Sequence, residues 1–167
     1  MIFKLLSSQV PWLLLLACLF LQSAYRRQWA NIRALFWLGA TVGISDAVAA
    51  QIIKPFAARI RPCIALNWIH VVDGCAGSLS FPSNHASNGA AFAAFWFMWK
   101  GGPIGWFALA CAFCVGISRV YLGMHYPSDV LGGFVLGSCI GGLSFVLARR
   151  FILSESPNTT AIKKEAV

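Results

Sequence analysis

The chain has 167 residues, 59% hydrophobic and only 11% charged, with a mean hydropathy of +0.72. Soluble domains carry about 25% charged residues, so this composition excludes them, along with collagen-like, disordered and disulfide-scaffold chains. The formal charge of +8 comes from 13 basic and 5 acidic residues, which the positive-inside rule explains without a nucleic-acid partner.

An integral membrane protein remains, and at ~20 apolar residues per span the length holds about five spans. Five apolar stretches follow in chain order, roughly 10–24, 34–53, 86–99, 104–120 and 130–148. They predict an all-α polytopic bundle made of one transmembrane domain over residues 1–153, with a polar tail over 154–167. Residues 1–9 read as a short helix lying in the outer interface. Leu15-Leu16-Ala17-Cys18 resembles a lipoprotein cleavage box. The apolar run continues through Leu21, however, and cleavage would leave the Arg26–Arg33 loop without its first span, so the segment is read as a span. The second span is expected to end at Lys54-Pro55, because proline disfavours helical geometry in the residue before it.

The basic residues divide by side. Arg26, Arg27, Arg33, Lys100, Arg149, Arg150, Lys163 and Lys164 share one side and Lys4, Lys54, Arg59, Arg61 and Arg119 the other. The larger group is expected in the cytoplasm. The smaller group then faces outward with His70, Asp73, His85, His125 and Asp129.

Cys18, Cys111, Cys114 and Cys139 fall inside spans and read as small buried apolar groups. Cys63 and Cys75 share one outward loop, where a disulfide in an oxidising compartment and two unpaired thiols both fit.

Ionisable groups at membrane depth mark function by default. Lys54, Arg61 and Arg119 reach one face from two helix ends. Three cations without matching carboxylates call for a multiply charged anion, of which phosphate is the simplest. Pro82 reads as the first residue of the third helix, leaving the N–H groups of Ser83, Asn84 and His85 as unsatisfied helix-start donors for that anion. Pro127 opens the last helix and puts Asp129 in its first turn, four residues after His125. The carboxylate can there take a proton from one imidazole nitrogen and leave the other as a lone pair for attack. A plain helix cap by Asp129 is the simpler alternative.

These residues carry a family resemblance. Lys54 to Arg61-Pro62 matches Lys-x6-Arg-Pro, and Ser118-Arg119, His125 and Asp129 match Ser-Arg-x5-His-x3-Asp. Pro82-Ser83-Asn84-His85 matches Pro-Ser-Gly-His except at Asn84. The chain thus resembles the type 2 phosphatidic acid phosphatases, the membrane branch of a superfamily that includes vanadium haloperoxidases. The resemblance implies that His125 attacks phosphorus, that Asp129 holds it, and that His85 protonates the leaving oxygen and then activates water. Lys54, Arg61, Ser83, Arg119 and the Asn84 backbone would cradle the phosphoryl oxygens. It implies no metal and no cofactor. The partners implied are the bilayer and a lipid phosphate (undecaprenyl diphosphate, phosphatidylglycerol phosphate, phosphatidic acid or lipid A phosphate), with no obligatory protein partner. The location implied is a bacterial inner membrane, with the site facing the periplasm or exterior. The family commonly has six spans, so an N-terminal one is expected to be missing. A lipid phosphotransferase would use the same intermediate, and a phosphate-lipid transporter would use the cations alone.

Outside the motifs, Asp46 reads either as a functional carboxylate steering Arg119 or a proton path, or as a packing residue. Asn88 either orients His85 or bonds across helices. Arg59, Trp68, His70 and Asp73 read as head-group readers or solvated loop residues. Gly133, Gly137 and Gly141 point to close helix packing, in the bundle or in a dimer.

Overall fold

In the computed structural model the described residues are 10–68, 74, 75 and 77–153, with side chains described between 14 and 152. The expected interfacial helix over 1–9, Lys4, His70, Asp73 and the tail with Lys163 and Lys164 lie outside them. The described residues form helices and no strand. α1 is Val10–Tyr25 and α2 Trp29–Ala47, which widens into a π-helical segment, Val48–Ile53. Two single turns follow, α3 (Lys54–Ala57) and α4 (Pro62–Ala65). Then come α5 (Asn84–Lys100), α6 (Gly102–Tyr121) and α7 (Pro127–Leu153).

Each apolar stretch lies within one long helix, and the helices run on a few residues into polar sequence. Among the described residues, three segments are long and apolar enough to cross a membrane by length and composition: Trp29–Ala65, Gly102–Tyr121 and Pro127–Ile152. The expected stop at Lys54-Pro55 is not where the helix ends. The π segment loosens the hydrogen-bond ladder so that Pro55, which lacks an N–H, enters at the start of α3. The chain reverses three residues later at Ala58, a non-glycine residue in the left-handed region at φ 46°.

α5 is the centre of the bundle, packed against α7, α6 and α2. Its small residues, Ala86, Ala90, Ala91 and Ala93, are buried. The glycine stripe of α7 meets this surface. A Cβ on Gly133 would lie 2.7 Å from the Ser83 carbonyl oxygen, and Cβ atoms on Gly137 and Gly141 would collide with the carbonyls of Ser87 and Ala91. The stripe therefore serves packing within the bundle, where close backbone approach replaces the hydrophobic drive that lipid cannot supply. Hydroxyl pairs add to it: Ser45 Oγ lies 2.6 Å from Ser87 Oγ and Thr41 Oγ1 lies 2.5 Å from Ser144 Oγ, tying α2 to α5 and α7. At the end away from Lys54, Arg61, His125 and Asp129, the residues Ala34, Leu35, Leu38, Phe95, Ala148 and Ile152 form an apolar core. Phe36, Phe107, Leu131 and Val135 stay exposed on the outside of the bundle, as a lipid-facing wall requires.

Candidate active site

Four chain segments converge at one end of the bundle. The turn after α6 is built first: Gly123, at φ 70°, lets the chain fold back so that the N–H groups of Met124 and His125 donate to the Arg119 carbonyl at 3.1 and 3.3 Å. Pro127 opens α7, as expected, and Asp129 falls in its first turn. His125 is 4% exposed and Asp129 is 0% exposed.

Asp129 is both a cap and a hub. Its Oδ2 accepts the Tyr126 backbone N–H at 2.9 Å and the Ser80 hydroxyl at 2.5 Å. Its Oδ1 accepts Arg59 Nη1 at 2.8 Å. Oδ2 lies 3.6 Å from His125 Nδ1, within ion-pair range but beyond a direct hydrogen bond. Ser80 Oγ sits between them, 3.5 Å from Nδ1.

On the other face of the ring, Arg61 Nη1 lies 3.0 Å from His125 Nε2. A guanidinium only donates, so Nε2 is the acceptor and the ring proton belongs on Nδ1, facing Asp129. Burial, then the charges of Arg61 and Lys54, push the His125 pKa down to about 3, against the opposing pull of Asp129. The imidazole is therefore neutral near pH 7, with one tautomer selected. His85, half-buried in the first turn of α5, is close enough for its charge to act on His125.

Lys54 and Arg61 are each 6% exposed and Arg119 is 7% exposed. Backbone carbonyls hold the first two: Lys54 Nζ donates to Leu79 at 2.6 Å, while Arg61 donates through Nε to Ser78 at 2.7 Å and through Nη1 to Met124 at 3.0 Å. The Ser78 hydroxyl takes Arg61 Nη2 at 2.8 Å. Cys63 and Cys75 are joined by a disulfide, Cα–Cα 5.9 Å, which ties the segment after Arg61 to the one entering Ser78–Ser80.

The third helix does not start at Pro82. Ser83 is the cap residue and α5 begins at Asn84. The Ser83 N–H is consequently not an anion donor: it donates to the Asp129 carbonyl at 3.0 Å, pinning the start of α5 to the first turn of α7. The Ser83 hydroxyl makes no capping bond. It is fully buried with no hydrogen-bond partner among the described residues, an unsatisfied donor of a kind that is uncommon in protein interiors. The Asn84 side chain is turned to α2, where its Nδ2 donates to Asp46 Oδ1 at 2.8 Å. Asn88 Nδ2 bonds the same oxygen at 2.9 Å, so Asn88 bonds across helices.

Arg59, expected as a head-group reader or a solvated loop residue, is instead bound to Asp129, and Ser78, Leu79 and Ser80, which the motifs do not include, also line the cluster. Arg59 also stacks over Tyr126, its Cζ 4.1 Å from the ring centroid. Trp68 is exposed. Among the described residues, no group of three or more His, Cys, Asp or Glu is placed to hold a metal ion.

A bundle of apolar helices with a buried imidazole, a carboxylate and a set of cations gathered at one end defines a polytopic membrane protein with a polar, cation-rich site. The sequence profile of the PAP2 superfamily matches residues 34–152. The chain belongs to the PAP2 superfamily. It is 35% identical over 123 residues to phosphatidylglycerophosphatase B of Bacillus subtilis, covering 68% of this chain and 55% of that one. It is 29% identical over 119 residues to a lipid A 4'-phosphatase of Bacteroides thetaiotaomicron, covering 68% and 53%. The chain spans about half the length of these curated relatives. The crystal structure of a transmembrane PAP2-type phosphatidylglycerolphosphate phosphatase from Bacillus subtilis superposes with a TM-score of 0.65 at 28% identity, covering 89% of this chain and 74% of that one.

Proposed function

We propose that the protein is a membrane lipid phosphatase that hydrolyses a lipid phosphate monoester or diphosphate through a phosphohistidine at His125. One observation carries the reading: a buried neutral imidazole whose Nε2 lone pair faces Arg61 while Nδ1 faces Asp129. An incoming phosphoryl oxygen takes over the Arg61 donation, and the lone pair is released toward phosphorus. His125 Nε2 then forms the P–N bond, the bond to the lipid oxygen breaks, and His85 gives its proton to that oxygen. In the second half, water gives a proton to His85 and attacks phosphorus. The P–N bond breaks, and inorganic phosphate leaves with His125 restored. Lys54, Arg61, Arg119, the Ser83 hydroxyl and the Asn84 backbone N–H hold the charge that builds on the phosphoryl oxygens.

The distribution of basic residues supports an inner-membrane bundle with this end facing the periplasm or exterior. The head group then sits at the cations while the tails stay in the bilayer. The test is a phosphate-release screen of the purified chain over a panel of lipid phosphates, run in EDTA. Free phosphate from at least one lipid, lost in His125→Ala and in His85→Ala, is the expected outcome. Phosphate moved to a second lipid with none released would instead indicate a phosphotransferase, and release by His125→Ala would refute the assignment.

A further inference from the structure

Asp46 lies in α2 just before the π-helical segment. Eight residues separate it from Lys54, which on a regular α-helix leaves the two side chains about 80° apart. Each residue of the wider π turn advances less than an α residue, so the segment swings them toward one face. The charge of Asp46 accordingly acts on Lys54.

Its two amide partners sit on either side of His85 in α5. Both spend an N–H on Asp46 Oδ1, which also settles their orientation, because only an amide N–H can face a carboxylate oxygen. The oxygens left over are acceptors. The Oδ1 atoms of Asn84 and Asn88 are buried without a partner, and Asp46, itself exposed, accepts both of these hydrogen bonds on Oδ1, so that Oδ2 takes part in neither. The carboxylate is thereby tied to the two residues that bracket His85 in α5, the residue proposed above to protonate the departing oxygen. It favours a hydroxyl and repels a second phosphate.

We propose that Asp46, held by Asn84 and Asn88, reads the leaving group, selecting a phosphate monoester whose alcohol carries a free hydroxyl beside the ester oxygen over one without it, and over a diphosphate. This rests on the phosphatase reading above. Asn84, the one departure from Pro-Ser-Gly-His, is then a specificity device rather than a neutral change.

The test measures kcat/KM of the purified full chain on three lipids in identical micelles. Phosphatidylglycerol phosphate carries the hydroxyl, phosphatidic acid lacks it, and undecaprenyl diphosphate carries a second phosphate. The wild-type chain is expected to favour the first. Asp46→Asn should lower the phosphatidylglycerol phosphate to phosphatidic acid ratio about tenfold, the scale of one hydrogen bond to a charged acceptor, and raise the relative rate on the diphosphate. Asn84→Gly, which cuts the tie and keeps the carboxylate, should move both ratios the same way, and it decides the matter if Asp46→Asn does not fold. A purely structural tie would lower all three rates together. Ratios unchanged within twofold, or a wild-type preference for phosphatidic acid or the diphosphate, overturn the proposal. No phosphate from any lipid with the wild-type chain would instead bring down the phosphatase reading itself.

Discussion

Asp129→Asn is the most exacting substitution in the site, because it keeps the shape and removes the charge. The wild-type carboxylate accepts three donors, from Ser80, the Tyr126 backbone and Arg59. An asparagine has one oxygen to offer. If that oxygen takes the place of Oδ2, the amide nitrogen faces the Arg59 guanidinium donor to donor, across a gap that is 2.8 Å in the wild type. If it takes the place of Oδ1, the nitrogen faces the Tyr126 N–H and His125. Either way a buried charge-assisted bond is lost, at a cost of about 2 kcal/mol in stability. The catalytic loss is larger. As His125 forms its bond to phosphorus the ring gains positive charge, with Oδ2 3.6 Å from Nδ1. At that distance and an effective dielectric near 20 the missing attraction is about 4 kcal/mol, or roughly a 10³-fold fall in kcat. Single-turnover phosphate release, with thermal unfolding in the same detergent, separates the two effects. A kcat within tenfold of wild type in a folded Asp129→Asn protein would refute the reasoning.

Three further outcomes follow from packing and burial. Gly137→Ala should destabilise the bundle by about 1–3 kcal/mol and reduce turnover, since the new Cβ collides with the Ser87 carbonyl and pushes α7 from α5. Gly39→Ala, with nothing within 4 Å of its Cβ, is the neutral control in the same melting experiment. Ser83→Ala removes a buried hydroxyl that has no partner, so stability should hold or rise while kcat/KM falls about tenfold or more, as for a donor to a charged ligand; equal losses of stability and activity would contradict that role. Finally, the folded His125 pKa, about 3, lies below its ordinary value of 6.5. The unfolded chain therefore binds a proton below pH 6.5 that the folded chain refuses, so stability is fully present above 6.5 and drains as pH falls toward 3. His125→Gln should flatten that acid limb in melting curves taken from pH 7 to pH 4.

The parts of the site legible in the sequence are those whose spacing is set along the chain. Pro127 fixes where α7 starts, and so puts Asp129 one turn from His125. The five residues between Arg119 and His125 are what the Gly123 turn needs to close. The second tier of contacts is set by tertiary proximity. Arg59 reaches Asp129 across 70 positions, and Lys54 finds its carbonyl at Leu79 only once the segment after the disulfide is folded against it. Ser83 shows the same limit from the other direction. A proline next to Ser-Asn-His reads as a helix start, but the Asp129 carbonyl claims the Ser83 N–H, and that claim exists only after α5 and α7 pack. The π turn before Lys54 left no mark in an apolar run that reads equally well as α-helix.

The most direct measurement is to trap the intermediate. The purified chain is mixed with a lipid substrate carrying ³²P in its terminal phosphate, quenched during turnover, and the label located by peptide mapping. The expected result is an acid-labile, base-stable label on His125, absent from His125→Ala and accumulating in a His85 variant that still forms the intermediate. Phosphate release at the wild-type rate with no label on His125 would contradict the account.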